Sequence, residues 1–371
     1  MGLIVSFKCI DVSLYVLFIS NSKTLFSNTD TKMFLVGFQQ FLRVVIHTSN
    51  LIHNDIYLKA QGSYVQDFPL KTNDSQLQCE FEQTLVSYLS SYGYNKKNKW
   101  SAYGDNITLN DQIARYDFDL ALVKLIPSVP GYYNFPEKCN AQGYLRLKSM
   151  ISEYILSHER KDNKLGPIVC QFSSIGSLSE KWIRDFASSL SADTEKGAVD
   201  ADKLMLVYPT VEEIRTSMEG YAGGASVPGK SKNLQKTFIG PLLHKWSGGS
   251  SSIHKPSNVP HIKTYYQLSK EKDSLEWFVL TSHNLSKAAW GEVINSQYGK
   301  CLRTLSWEMG VFCCPKLVGD QQLVPFDMRN DPGSFVIPLP YQSQPERYGV
   351  DDQPWAVDEK YEKSDAFGNF G

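Results

Sequence analysis

The chain has no excess of either charge, with 38 Lys and Arg set against 39 Asp and Glu in 371 residues. Any nucleic-acid binding has to come from a local basic groove rather than from overall charge. CxxC pairs are absent as well. Seven cysteines, Cys9, Cys79, Cys139, Cys170, Cys301, Cys313 and Cys314, are scattered and odd in number. That pattern suggests neither a zinc site nor a disulfide framework and fits a reducing compartment. Long apolar runs are scarce too. "MGLIVSFKCIDVSLYVLFIS" is broken by Lys8 and Asp11, and the clean run that remains is too short to span a bilayer. It reads as one or two strands rather than a signal anchor, although "MGLIVS" also fits the loose myristoylation pattern. A hydrophobic share of 42% excludes disordered and fibrous classes, and the length leaves room for two or three domains.

Strand-like runs occur at "TKMFLVGF" and "FLRVVIHTSN", followed by a helix-like "LQCEFEQTLVSYLSSYG" and an apolar "FDLALVKLIPSV" ending at Pro130-Gly131. This is one α/β unit by its periodicity. A second series follows: "GYLRLKSMISEYILSHER" as helix, "PIVCQFSS" as strand, "SEKWIRDFASSL" as helix, "KLMLVYP" as strand and "TVEEIRTSMEG" as helix. Thr210 with Glu213 predicts a capping box at the start of that last helix, and Gly220 its stop. The tail from Pro332, rich in proline, acidic and aromatic residues, reads as an extended surface wrap.

"HIKTYY", residues 261–266, predicts a strand on which His261 and Lys263 share a face. Two distant stretches echo each other. Lys32 leads through an apolar run to "VVIHTSNLI", and Lys263 leads through another to "WFVLTSHNLS", with Asn50 matching Asn284. Such a weak internal repeat predicts one pseudo-symmetric site to which each half gives a lysine and an asparagine. Two ammonium and two amide donors aimed at one point would hold the oxygens of a phosphate and the charge that grows on them. A histidine there can attack phosphorus or carry a proton, because it titrates near working pH. The arrangement requires no metal and no cofactor.

"HIKTYYQ" followed by "WFVLTSHNLSKAAWG" resembles the second HxK(x)nN motif of the tyrosyl-DNA phosphodiesterase family, a branch of the phospholipase D superfamily with asparagine in place of the usual aspartate. The resemblance covers most of residues 31–371, with "GPIVCQFSSIGSL", "LMLVYPTVEEIRTSMEGYAGGASVP", "LLHKWSG" and "SWEMGV" carrying it most strongly. It implies an α/β fold of two pseudo-symmetric phospholipase D-like α-β-α halves, the first incomplete. The expected divisions are a non-matching segment 1–29, a partial first domain 30–120, and a second domain 121–371 that includes the wrap. By the same resemblance His261 is the general acid/base that protonates the leaving tyrosine and then activates water. Lys263 and Asn284 bind phosphate, Lys32, Asn50 and Gln61 supply the other half, and Glu308 orients a catalytic histidine. Ser174, Ser177 and Ser286 fall where the family contacts DNA phosphates, and Pro228 lies in a loop near the bound strand. The implied partners are DNA 3′ ends and topoisomerase-derived peptide adducts on them. The implied setting is a monomer in the nucleus, away from membranes.

The match departs at the family's first motif. That motif reads His-x-Lys, and its histidine is the nucleophile that bonds covalently to the DNA 3′ phosphate. Here the stretch is "TDTKMF", so Asp30 stands in its place. A carboxylate could attack phosphorus to give an acyl phosphate, but aspartate is shorter and its charge repels a phosphodiester. Two functions are therefore open, a phosphodiesterase of 3′-blocked DNA ends and a non-catalytic DNA-end binder. "GASVPGKS", Gly224 to Ser231, also fits a P-loop pattern, but it follows a helix rather than a strand and contains a proline. A lipid-cleaving phospholipase D is disfavoured by the asparagines.

Overall fold

The computed structural model describes residues 3–9, 12–19, 28–72, 79–92, 108–136, 138–156, 166–191, 203–246, 257–297, 299–329 and 332–371. The fold is mixed α/β, organised on two large sheets. The first is antiparallel throughout, in the order β1 (Leu3–Cys9), β2 (Val12–Ile19), β3 (Met33–Gly37), β4 (Phe41–His47) and β5 (Ser63–Pro69). Alternation decides its faces. Met33, Leu35, Leu42, Val44 and Ile46 point inward, while their neighbours along β3 and β4 remain part-exposed. The N-terminal apolar stretch accordingly contributes the two strands β1 and β2.

The second sheet has ten strands. Its path includes β6 (Lys124–Ser128), β7 (Ile168–Gln171), β8 (Leu204–Val207), β9 (Leu243–His244), β10 (Thr264–Leu268), β11 (Leu275–Thr281) and β12 (Ser306–Cys313), ordered β9-β8-β7-β10-β11-β12-β6. Both faces are buried, so its strands read as near-continuous apolar runs. Successive residues feed two different cores. Cys170, Tyr265, Val279 and Phe312 pack beneath α2 (Gly143–Ile151) and α3 (Glu180–Ser191). Val169, Tyr266, Leu280 and Val311 pack with the first sheet and α1 (Glu80–Ser91).

Several sequence expectations need adjustment. The helix read over "TVEEIRTSMEG" covers only Val211–Arg215, although its Thr210–Glu213 capping box is present on both sides. The chain then passes into a glycine-rich 3₁₀ turn, Gly220–Ser226, that starts from a left-handed Gly220 at φ 56°. The helix beginning at Gly143 ends at Ile151 and widens into a π turn over Ser152–Leu156, and the last part of the expected range lies outside the described residues. The tail is more than a surface wrap, because Leu339, Tyr341, Trp355 and Ala356 are anchored in the cores.

Candidate active site

The two sheets meet through a two-residue parallel pairing, Lys59 with Val259 and Ala60 with Pro260. The amides of His261 and Ile262 both donate to the Ala60 carbonyl, at 3.0 and 2.8 Å. This is why the strand expected over "HIKTYY" begins only at Thr264: the chain bends around Ala60 first. The close approach depends on Gly62, where a Cβ would fall 2.6 Å from Leu280 Cδ1 and 2.7 Å from Ile262 Cδ1. Beneath the junction, Lys59 forms a buried ion pair with Glu219, and Asn54 Nδ2 donates to the same carboxylate at 3.4 Å.

Around this junction the two halves repeat one hydrogen-bond pattern. Lys32 Nζ donates to the carbonyl of Asp30 at 2.8 Å, and Lys263 Nζ donates to the carbonyl of His261. The Lys32 carbonyl accepts from His47 N at 3.0 Å, and the Lys263 carbonyl from Thr281 N at 3.1 Å. In the next position, Thr48 Oγ1 donates to Gln61 Oε1 at 2.7 Å, and Ser282 Oγ donates to Glu308 Oε2 at 2.5 Å. Each hydroxyl also accepts the next backbone amide along, from Gly62 at 3.0 Å and from Met309 at 3.1 Å. Gln61 is thus the counterpart of Glu308, as Asn50 is of Asn284.

The halves exchange acceptors. Gln61, from the first, faces His261 of the second, with Oε1 3.2 Å from Nδ1. On the other side Asp30 N donates to the Trp307 carbonyl at 3.0 Å, beside Glu308. Where His261 meets an amide oxygen, the Asp30 carboxylate acts through its charge on the Glu308 carboxyl.

Asn284 is held by its oxygen, which accepts from Ser173 N (3.2 Å), Ser173 Oγ (3.2 Å) and Ser174 N (2.9 Å). This orients its NH₂ as the group left to donate. Asn50 donates its backbone amide to Asp55 Oδ2 at 2.7 Å. Ser177 is exposed and its hydroxyl accepts from Lys236 Nζ at 3.4 Å. Ser286 caps the short helix Lys287–Trp290 by accepting from Ala289 N, so it fills the cap role that serines commonly take. Pro228 is exposed in the turn between the buried Val227 and Gly229.

The charges in the pocket act on one another. Burial first, and then Lys32, push the Lys263 ammonium down to about 7, against the opposing pull of Asp30, Glu308 and Asp55. Burial, then Lys263, Lys32 and Lys59, hold the His261 imidazole well below its ordinary value. Burial and then the Asp30 carboxylate push the Glu308 carboxyl well above the usual carboxylate range. The pocket thus holds a neutral imidazole, an ammonium poised near neutrality and a carboxyl that favours its proton.

Four residues that sequence reasoning missed are Asp55, Ser173, Lys59 and Glu219. The first is the only one with a local signal, five positions after Asn50. Another unforeseen group, His283, is fully buried, stacked 4.2 Å from Trp290 and bonded through Nε2 to Ser128 at 2.9 Å. Burial lowers it to about 3, so it is a neutral structural imidazole. The P-loop-like stretch is closed from beneath. Trp355 lies where a Cβ on Gly224 would be, and the Asp358 carboxylate takes both the amide and the hydroxyl of Ser231, the donors a phosphate would need. Among the described residues no cluster of His, Cys, Asp or Glu suited to a metal is present, and no helix is long and apolar enough to cross a membrane.

A two-half α/β fold that gathers a lysine, an asparagine and a shared acceptor from each half around one junction defines a protein of the phospholipase D-like kind. The chain belongs to the tyrosyl-DNA phosphodiesterase family, whose sequence profile matches residues 11–349. Tyrosyl-DNA phosphodiesterase 1 of Arabidopsis thaliana is 32% identical over 385 residues, covering 92% of this chain and 61% of that protein. The protein of the same name from Drosophila melanogaster is 33% identical over 351 residues, covering 90% and 58%. The chain thus spans about six-tenths of the length of these relatives. In fold it is similar to the crystal structure of yeast tyrosyl-DNA phosphodiesterase, with a TM-score of 0.69 at 18% identity over 91% of this chain and 80% of that one.

Proposed function

We propose that the pocket binds the phosphodiester at a blocked DNA 3′ end, as in the repair of tyrosyl-DNA links, and that Asp30 leaves this chain weak in the first chemical step. The observation that carries the reading is the repeated lysine-to-carbonyl and hydroxyl-to-acceptor pattern around one junction. In this reading the two lysines and the NH₂ of Asn284 serve one anion, and donors of this kind suit phosphoryl oxygens. In this reading His261 carries the proton of the leaving oxygen, and Ser174, Ser177 and Ser286 line the path of the nucleic-acid strand. Lys236, beside Ser177, adds a positive charge to that path, and a monomer working in the nucleus fits the substrate.

The deciding experiment pairs two measurements on one 3′-phosphotyrosyl oligonucleotide. Binding, followed across a salt series, should weaken linearly in log–log form, as phosphate contacts require. Single-turnover cleavage by the unmodified chain should be slow or undetectable. Salt-independent or undetectable binding would refute the reading.

A further inference from the structure

His261 has two acceptors near Nδ1, and only one of them is neutral. Gln61 Oε1 lies 3.2 Å from that nitrogen and Asp55 Oδ2 lies 3.7 Å from it. Asp55 is 3% exposed and firmly placed. Asn50 N donates to the same carboxylate oxygen at 2.7 Å, and Gln61 Nε2 donates to the Asp55 carbonyl at 3.2 Å. The chain enters this turn through Leu51 at φ 60°, ahead of the short helix His53–Tyr57 that carries Asp55. A buried carboxylate is costly unless it has partners, and one backbone amide satisfies little of it. The imidazole is the partner that makes its position intelligible.

The charged groups around the ring come from five places. Lys263 follows it in sequence, Lys32 enters from the first half, and Lys59 lies on the paired strand; all three oppose a proton on His261. Asp30 and Glu308 act on Lys263 from the far side of the pocket. Among the described residues Asp55 is the one carboxylate at the ring itself. A bound phosphodiester would offset the lysines, leaving Asp55 free to favour the charged ring. We infer that Asp55 is a positioning residue for His261. Gln61 takes the Nδ1–H hydrogen bond, and the Asp55 carboxylate, 3.7 Å from that nitrogen, acts through its charge, stabilising the imidazolium when an anion occupies the lysines. This rests on the reading of the pocket as a phosphate site.

The test is magnetic resonance of the His261 imidazole, assigned by its loss in His261→Gln, with orthovanadate as the phosphate mimic. Asp55→Asn keeps an oxygen for the Asn50 amide and removes only the charge. With saturating vanadate at pH 7 the ratio of protonated to neutral His261 should fall roughly tenfold in Asp55→Asn, the effect expected of losing one close opposite charge. An unchanged ratio overturns the inference. If vanadate does not bind the unmodified chain, the phosphate-site reading fails, and Asp55 is judged in empty Lys263→Met protein. Removing that lysine relieves the ring, and Asp55→Asn must lower its protonation there too; no change would again overturn the inference. Should Asp55→Asn not fold, Asp55→Ser serves in both arms.

Discussion

The two halves of the pocket share a scaffold and differ in what the scaffold holds. In the second half the carbonyl that receives the lysine belongs to His261, whose ring meets Gln61. In the first the same carbonyl belongs to Asp30, beside Glu308. The backbone bonds are indifferent to this exchange, so the fold persists around it. The electrostatics are not, because Asp30 raises Glu308 and pulls upward on Lys263. On the proposed reading phosphate holding depends on both halves and nucleophilic attack on a single side chain, so the two are separable.

The strongest way to break this comparison is to make the halves alike. Asp30→His should raise single-turnover cleavage of a 3′-phosphotyrosyl oligonucleotide, since losing a covalent nucleophile can cost on the order of a million-fold in a hydrolase. With His261 also changed, a phosphohistidine adduct should accumulate on the denatured chain. Equal rates with and without the exchange would show that residue 30 is not the deciding difference.

Removing a donor tests the property the halves share. Lys263→Met should weaken orthovanadate binding about ten- to a hundred-fold, the range of one charge-assisted hydrogen bond, as read by calorimetry. An effect confined to one lysine, with Lys32→Met silent, would show that the two halves do not share the anion.

A pH series follows from the same lysine. Its ammonium is depressed to about 7 by burial and by Lys32, so above that pH binding an anion requires taking up a proton. Affinity for a mimic of constant charge, such as a methylphosphonate monoester, should fall as pH rises through 7 to 9, by at most about tenfold per unit. Proton uptake is measurable as a dependence of the binding heat on the buffer's ionisation enthalpy. The sign for stability is related. A lysine held below its unfolded value costs stability at low pH, and this cost is relieved as pH rises from about 7 toward the ordinary lysine value of 10.5.

The smallest change concerns Asn284. Ser173→Ala removes one of three donors to its oxygen and should lower anion affinity only a few-fold, in line with a net hydrogen bond of about 1 kcal/mol. A loss as large as that of Lys263→Met would mean that this serine acts on the ligand directly.

Much of this was legible because it is local. Period-two alternation in "MFLVG" and "FLRVVIH" fixed the first sheet's faces, and the Thr210–Glu213 box lies within four residues. The lysine-to-asparagine repeat exposed the pseudo-symmetry for the same reason: each copy is a hairpin of short span. The exchange between copies was not visible. Gln61 and His261 are 200 positions apart, and Lys59 and Glu219 are 160 apart. No spacing rule connects such residues, since the contact depends on how the Lys59–Ala60 and Val259–Pro260 segments pair. The strand expected at His261 failed for that reason, since a single long-range carbonyl, that of Ala60, takes both amides and bends the chain.

The tail after Pro354 works as a latch. Trp355 and Tyr361 sandwich against Tyr221, with ring separations of 5.0 to 5.8 Å. Val357 N donates to the Gly229 carbonyl at 2.9 Å, and Asp365 takes the amide of Tyr221 at 3.1 Å. These fastenings fall on residues 221–231, the turn that presents Pro228, and the tail is tied further to Pro209 through Trp355 N and to Arg215 through the Ser364 carbonyl. A protease cut between Pro354 and Trp355 would therefore loosen this turn, and with it the Gly223 carbonyl that accepts from Lys59 Nζ at 3.3 Å, while Lys32 and Lys263 stay bonded to the carbonyls of Asp30 and His261. On the proposed reading, grip on a long strand would fall while grip on a lone phosphate was largely kept.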